Sequence, residues 1–217
     1  MPSLSGFFKE ATLAGSTIVV ITQASADNAG ETVSLTDSQA QSYKQVDGEY
    51  VQGQMFNYEF VKTNSVALST TDPITMTLNM GCDYTGLLLL EIAGVDPSPA
   101  YVHAFRYQTN TDAGTNNLTV GPMALGSGSG LLILTAQNQA NQAVTNTTPA
   151  AGLSPIDMTL QSSGWNWGYD SIIVTDAHVA DAGTVSPTAS ATENATPPYG
   201  EDYTLFGLYF PDAGSGS

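Results

Sequence analysis

Two histidines are the side chains of this sequence best suited to act as a general base near neutral pH. His103 lies in the segment Tyr101–Tyr107 beside Arg106, and His178 follows closely after Asp176. Nucleophilic catalysis needs a nucleophile, a base and an orienting acid, and no Gly-x-Ser-x-Gly turn is present to expose a serine. The sequence has 20 Asp+Glu residues, but nothing singles out two of them as a glycosidase pair. We therefore expect no catalytic residue and no enzymatic activity.

Side chains that ligate metals are equally sparse. Two isolated histidines and the single Cys82 do not form a zinc ligand set. No Asp-x-Asp-x-Asp-Gly loop is present, although an irregular calcium site at Asp27–Glu31 or at Glu201–Asp202 stays open. The spaced glycines of Gly126–Gly130 alternate with serine and lack the lysine of a phosphate-binding loop. We expect no metal and no cofactor.

One aromatic segment, Gly164–Asp170, has the composition of a binding surface. On a strand, Trp165, Trp167 and Tyr169 point to one face, because strand side chains alternate with a period of two. Three interpretations stay open: the row packs in the core, where Trp is usually found, it forms a subunit interface, or it stacks on a sugar. The aromatic group around His103 has the same spacing and the same interpretations.

The elements that must position these side chains are predicted to be strands. Residues Ile74–Met80 alternate apolar and polar side chains, which is typical of a half-buried strand. The continuous apolar run in Leu87–Ala93 predicts a central strand. About ten such strands, separated by Gly, Pro, Asn and Asp, predict an all-β protein with a single antiparallel β-sandwich that is jelly-roll-like.

The connections and termini complete the predicted architecture, a single domain over residues 1–217. Two long loops are predicted at Gln137–Ser154 and Asn194–Asp202, and Ser38–Gln45 is the best candidate for a helix, though a weak one. Residues 1–13 are predicted to form an N-terminal arm. Residues 211–217 have almost nothing to bury and are predicted to be a flexible tail.

Phe7 and Phe8 give the predicted N-terminal arm two apolar side chains with which to dock on another subunit. The N-terminal segment Met1–Gly15 lacks a basic region followed by an apolar region, so we expect no standard export signal and synthesis in a cytoplasm.

Basic residues are scarce throughout the chain. The sequence has 4 Lys+Arg against 20 Asp+Glu, which gives a formal net charge of −16. No basic residue follows Arg106. Nucleic acids and anionic membranes are bound through basic patches, so this acidic composition excludes both as expected partners.

The stretch Ala113–Ile156 carries no formal charge at all. Free monomers usually keep themselves soluble with mixed surface charges, whereas the cores of interfaces are depleted in Lys, Glu and Asp. The neutral polar stretch therefore favours a subunit that packs against copies of itself or against other subunits.

Five segments combine short strands with characteristic turns: Val33–Ser38 with Tyr43, Ile74–Leu78, Tyr84–Asp96, Ala180–Val185 with Thr188, and Thr204–Phe210. Their order is a buried strand with an Asp-Ser turn, a Thr-rich strand, and a strand ending in Ala-Gly-Val-Asp. Together they resemble a β-sandwich domain common in bacteriophage virion proteins and in some bacterial surface proteins. The resemblance covers roughly residues 15–210. No catalytic residue comes with this family.

The resemblance implies a structural virion protein of a tailed phage. Combined with the neutral surface, it leads us to expect a subunit that decorates the capsid surface as a cement, turret or vertex protein and acts by protein–protein adhesion. The expected partners are the major capsid protein or other virion subunits, with a homo-oligomer such as a trimer or pentamer. The alternative is a host-recognition module of a tail or fibre, in which Trp165, Trp167 and Tyr169 bind a glycan.

Overall fold

A computed structural model describes these parts of the chain: residues 2–25, 30, 32–51, 55–81, 84–96, 101–110, 114–125, 129–139, 144–149, 154–155, 161–164, 171–179, 184–185, 188–193 and 201–213. The first nine strands are β1 (Ser3–Gly6), β2 (Thr17–Ser25), β3 (Val33–Asp37), β4 (Lys44–Val51), β5 (Met55–Lys62), β6 (Ile74–Leu78), β7 (Tyr84–Ile92), β8 (Val102–Asn110) and β9 (Gly114–Thr119). The others are β10 (Met123–Ala124), β11 (Gly130–Gln139), β12 (Val144–Pro149), β13 (Ser154–Pro155), β14 (Gln161–Gly164), β15 (Ser171–Val179), β16 (Thr184–Val185), β17 (Thr188–Glu193) and β18 (Glu201–Pro211).

The paired strands are antiparallel throughout, and the described residues contain no helix. This part of the chain accordingly has no helix long and apolar enough to cross a membrane. The all-β, antiparallel fold predicted from composition and periodicity is confirmed.

The helix candidate at Ser38–Gln45 is wrong, because this segment is a turn followed by the start of β4 at Lys44. The Asp37 carboxylate accepts a hydrogen bond from the backbone N–H of Gln41 at 3.0 Å, which closes the turn. Ala40 has a φ of 53°, in the left-handed region that a right-handed helix excludes.

The chain folds as two compact units. Unit 1 comprises Met1–Pro99 and Thr159–Trp165, and unit 2 comprises Ala100–Met158 and Asn166–Ser217. Each unit has its own sheets and its own hydrophobic cluster. The single domain over residues 1–217 stays a prediction.

Unit 1 contains a three-stranded sheet in the order β1-β6-β3 and a five-stranded sheet in the order β14-β7-β2-β5-β4. The two sheets enclose a hydrophobic core, in which Ile18 and Val20 of β2 and Phe60 of β5 pack with Ile74 and Met76 of β6. These side chains are buried, and burying one aliphatic or aromatic side chain contributes roughly 1.5–3 kcal/mol. Unit 1 is therefore a β-sandwich.

Two strands of unit 1 match the sequence predictions directly. In β6, Ile74, Met76 and Leu78 are buried and the threonines between them are half-buried, which confirms the period of two. Strand β7 lies between β14 and β2, so the predicted central position of the apolar run is also confirmed. Both strands were predictable from local sequence because their apolar residues alone define the buried face.

Unit 2 contains a five-stranded sheet in the order β13-β15-β11-β18-β8, a three-stranded sheet β12-β17-β9 and the pair β10-β16. Met123 and Leu125 pack against Leu132 and Tyr209 in its hydrophobic cluster. Gly207 makes room for this contact, because a Cβ there would lie 2.7 Å from the Met123 sulfur. Glycine thus allows the β10 segment to approach β18 closely.

Several predicted irregular segments contain strands. The N-terminal segment pairs with β6 over Ser3–Gly6, so this part of the predicted arm belongs to the chain's own sheet. The predicted loop Gln137–Ser154 contains β12 and the ends of β11 and β13. At the C-terminus, β18 continues through Pro211, and the Asp212 backbone N–H donates to the Ser129 carbonyl at 3.0 Å. Residues 214–217 of the predicted tail lie outside the described residues.

Candidate functional site

The best-defined surface of unit 1 is the end of the sandwich at which three connections cross between the sheets. Residues 7–16 join β1 to β2, residues 38–43 join β3 to β4, and residues 63–73 join β5 to β6. Each connection leaves one sheet and enters the other, since β1, β3 and β6 form one sheet and β2, β4 and β5 belong to the other. We call these three connections together the loop end.

Backbone hydrogen bonds join the first and third connections. The Thr12 N–H donates to the Leu68 carbonyl at 2.8 Å, and the Gly15 N–H donates to the Ser65 carbonyl at 2.8 Å. The Ser65 N–H in turn donates to the Ser16 carbonyl at 2.9 Å, and the two serine hydroxyls lie 3.0 Å apart. Satisfied backbone groups hold these loops in place without a regular strand.

Asp37 organises the second connection. Its carboxylate accepts hydrogen bonds from the Gln41 side chain at 3.0 Å and from the Tyr43 hydroxyl at 2.6 Å. Gln41 then links this connection to the third one, because the Val66 N–H donates to its side-chain oxygen at 2.7 Å. Burial, followed by the hydrogen bond from Tyr43 to the Asp37 carboxylate and its negative charge, raises the pKa of Tyr43 well above its usual range. Tyr43 is therefore a neutral hydrogen-bond donor at physiological pH.

Two further acids fix the backbone of the loop end. Asp72 accepts from the Ser38 hydroxyl at 2.7 Å and from the Ser69 N–H at 2.8 Å, and these hydrogen bonds lower the pKa of its carboxyl group. The Glu91 carboxylate accepts from the Leu13 N–H at 2.6 Å. These carboxylates therefore act as structural acceptors.

The loop end exposes three large hydrophobic side chains. Phe7 is 54% exposed, Leu13 is 60% exposed and Val66 is 53% exposed. Among the residues whose side-chain burial the structure describes, these are the exposed large hydrophobic residues, and all three belong to the loop end. Scattered single exposed hydrophobics are ordinary, but three of them on the connections at one end of a unit are typical of an interaction site.

The two phenylalanines of the predicted arm have different environments. Phe7 is exposed at the loop end, whereas Phe8 is half-buried and packs against the core of unit 1. Phe7 is therefore the one available to a partner.

The two other predicted sites are the aromatic row of Gly164–Asp170 and the aromatic group around His103. Trp165, Trp167 and Tyr169 lie outside the described residues, so their three interpretations stay predictions. His103 is exposed on β8 near Tyr101, with ring centroids 6.3 Å apart.

Leu13 and Val66 belong to the site but were not identified from the sequence. Neither belongs to an apolar period that would assign it to a surface, since Val66 only begins the short run Val66–Leu68. Leu13 sits between Thr12 and Ala14, and Val66 follows Ser65. The one available signal was an apolar residue in a segment otherwise suited to a turn.

Most of the chain's positive charge also lies at or next to the loop end. Lys9 is in the first connection, Lys44 begins β4, and Lys62 ends β5, where its Nζ donates to the Thr63 carbonyl at 3.0 Å. These are three of the four Lys+Arg residues in the sequence. Interaction sites have a polar rim around a more apolar centre, and these lysines lie at or next to the connections that carry the exposed apolar side chains.

Among the residues that the structure describes, no group of three or more His, Cys, Asp or Glu side chains is placed to hold a metal ion.

Comparison with models of known protein families, with curated proteins and with solved structures finds no match to this chain.

Proposed function

We propose that this protein is a structural subunit that acts by protein–protein adhesion through the loop end of unit 1. The observation that carries the proposal is the exposure of Phe7, Leu13 and Val66 on loops that hydrogen bonds already hold in place. A partner that covers these side chains removes apolar surface from water, which contributes about 25 cal/mol per Å² buried.

The hydrogen bonds within the loop end support this role. Ordering a flexible loop on binding costs about 0.5–1.5 kcal/mol for each immobilised side chain. The first and third connections are already joined through Thr12–Leu68 and Gly15–Ser65. Binding therefore carries a smaller entropy cost for ordering the backbone, so a small apolar contact is enough for a stable complex. Phe7 supplies an aromatic anchor of the kind found at interface hot spots.

The virion context of the proposal comes from the resemblance of the sequence to β-sandwich domains of tailed-phage virions. In that context the subunit decorates a capsid as a cement, turret or vertex protein, with the major capsid protein or further copies of itself as partners. Jelly-roll connectivity and the homo-oligomer belong to the same proposal. The small share of charged residues, 11%, supports a surface that is inexpensive to desolvate.

The proposal is tested by placing a charge on the exposed hydrophobics. We expect Leu13→Asp and Val66→Asp to weaken self-association or binding to empty capsids about tenfold or more, because a carboxylate at an apolar contact must be desolvated. Sedimentation velocity measures self-association, and co-sedimentation with empty capsids measures binding to the shell.

Ser34→Asp is the matched control, because Ser34 is exposed on β3 of the same unit and the substitution adds the same charge away from the loop end. Association should survive in this control. A wild-type chain that remains a monomer and does not bind empty capsids contradicts the proposal. Equal loss in Ser34→Asp and Leu13→Asp contradicts the assignment to the loop end.

A further inference from the structure

A buried carboxyl group lies on the five-stranded sheet of unit 1, outside the loop end. Glu59 of β5 is 1% exposed, and neither of its side-chain oxygens has a hydrogen-bond partner among the described residues. An isolated buried carboxylate is strongly unfavourable, so buried charges are normally paired or bound to a metal. The environment of Glu59 therefore lacks a component that would satisfy its two oxygens.

A second carboxylate lies directly across the ladder. Asp47 of β4 is the register partner of Glu59, and the register shift between Gln45 and Asp47 marks a β-bulge at this point. Burial, and after it the negative charge of Asp47, raises the pKa of Glu59 well above its ordinary value. Bulges redirect side chains next to functional sites, and this one places two acids side by side.

A pair in the ladder on the other side of β5, between β5 and β2, adds oxygen atoms to this face. Gln23 of β2 is the register partner of Asn57 of β5, and Asn57 is two residues from Glu59 and so on the same face. Both amide side chains are buried. The face thus combines two carboxylates with two carboxamides, which are hard oxygen ligands.

We propose that Glu59 and Asp47 bind one calcium ion, with Glu59 as a bidentate ligand. Calcium accepts six to eight oxygen ligands in irregular geometry, whereas magnesium demands a near-ideal octahedron and gives up its waters reluctantly. The carboxamides of Gln23 and Asn57 are further oxygen ligands on the same face, and water completes the shell. The ion reaches the site from β4, which is an edge strand and whose Asp47 is only half-buried.

Calcium bound in this way joins β4 to β5 through side chains as well as through the ladder. The ion neutralises two carboxylates that repel each other across one register pair when both are ionised. It binds the folded chain, because the two ligands come together only when β4 and β5 pair. Its binding therefore raises the stability of unit 1 by mass action.

The test uses the full chain treated with EDTA and then dialysed against buffer with or without 1 mM CaCl₂. We expect about one calcium per chain by equilibrium dialysis, and a rise in the unfolding temperature of about 5 °C with calcium. Glu59→Gln keeps the shape of the side chain but loses its charge and one ligand oxygen. We expect this variant to fold, to bind calcium at least about 100-fold more weakly and to show no rise.

Glu10→Gln is the matched control, because Glu10 is exposed in the loop end and the change in charge is the same. This variant should retain the calcium effect, and Asp47→Asn should weaken it. An unfolding temperature that calcium does not change overturns the proposal. So does an equal rise in Glu59→Gln, which would indicate general binding to acidic surface. An equal rise with 1 mM MgCl₂ overturns the assignment of calcium.

Discussion

Within β2, two buried threonines of the same strand differ in one hydrogen bond. Thr22 donates its hydroxyl to the Tyr58 carbonyl at 3.2 Å. Thr17 is fully buried as well, but its hydroxyl has no hydrogen-bond partner within the described residues. A buried hydroxyl without a partner loses its hydrogen bonds to water on folding and forms no hydrogen bond within the protein to replace them.

We expect Thr17→Val and Thr22→Val to change stability in opposite directions. Thr17→Val replaces an unsatisfied hydroxyl with a methyl group and should raise the free energy of unfolding by about 1 kcal/mol. Thr22→Val removes a satisfied hydrogen bond and should lower it by about 1 kcal/mol. Urea unfolding of the two variants and the wild type measures both changes. Equal effects of the same sign would contradict this interpretation of the two sites.

At the same scale, Glu59 shows a limit of prediction from sequence. It lies in a strand whose neighbours Tyr58 and Phe60 are aromatic, so alternation alone indicates two faces but not that both are buried. Its link to Asp47 depends on the pairing of β4 with β5 and on the bulge. Neither is encoded in the spacing of the two residues, so this pair could be found only from the structure.

At the scale of elements, the pairing of β4 with β5 depends on a single glycine. Gly48 lies opposite Tyr58, and a Cβ at Gly48 would overlap the Tyr58 ring at Cδ1 and would lie 2.8 Å from the Asn57 carbonyl oxygen. The Tyr58 ring also makes an edge contact with Phe60, with centroids 6.5 Å apart. An aromatic ring placed over a cross-strand glycine pins the register of the two strands.

We expect Gly48→Ala to lower the free energy of unfolding by about 2 kcal/mol, because the Tyr58 ring must move away from its neighbours. Gly81→Ala is the control, since a Cβ there has nothing within 4 Å and its φ is not in the left-handed region. Chemical denaturation of the two variants separates a steric effect from the general effect of replacing glycine. Wild-type stability in Gly48→Ala would show that Tyr58 has room to shift.

Elements differed in how far the sequence predicted them. Strands β6 and β7 were predictable because their own apolar residues define a buried face. Strands β1 and β4 were not, because SLSG and KQVDGEYV lack an apolar period. Strand β1 forms because it pairs with β6, and β4 forms because it pairs with β5. Their conformation therefore depends on tertiary contacts.

The loop end was predictable only in part for the same reason. Phe7 was identified because two adjacent phenylalanines near the N-terminus stand out, whereas Leu13 and Val66 were not. Their exposure follows from hydrogen bonds between residues 12–16 and 65–68, which are distant in the chain.

At the scale of the whole molecule, the net charge of −16 opposes the association of free subunits. At 0.1 M salt the Debye length is about 10 Å, and at 1 M it falls to about 3 Å, so salt screens this repulsion. Apolar contacts such as Phe7, Leu13 and Val66 are not weakened by salt in the same way. Charge and contact surface therefore respond differently to ionic strength.

We expect self-association to increase between 0.05 M and 1 M NaCl, and to increase again as the pH is lowered toward the sequence pI of about 4.1. Sedimentation velocity at fixed protein concentration measures both dependences. Leu13→Asp should weaken association at every salt concentration, because it removes an apolar contact. The screening of the net charge by salt stays the same. Association that does not vary with salt would show that the net charge has no part in keeping subunits apart.

Strand β14 has a consequence for the synthesis of this protein. It comes from residues Gln161–Gly164 but completes the five-stranded sheet of unit 1 by pairing with β7. On the ribosome, β7 emerges about 70 residues before β14, which at 5–20 residues per second leaves its edge open for about 4–14 seconds. During that interval the edge can accept the equivalent strand of a chain on a neighbouring ribosome, and the result is an exchanged dimer. The speed of translation between β7 and β14 therefore affects how many chains pair β14 with their own β7 and how many form the exchanged dimer.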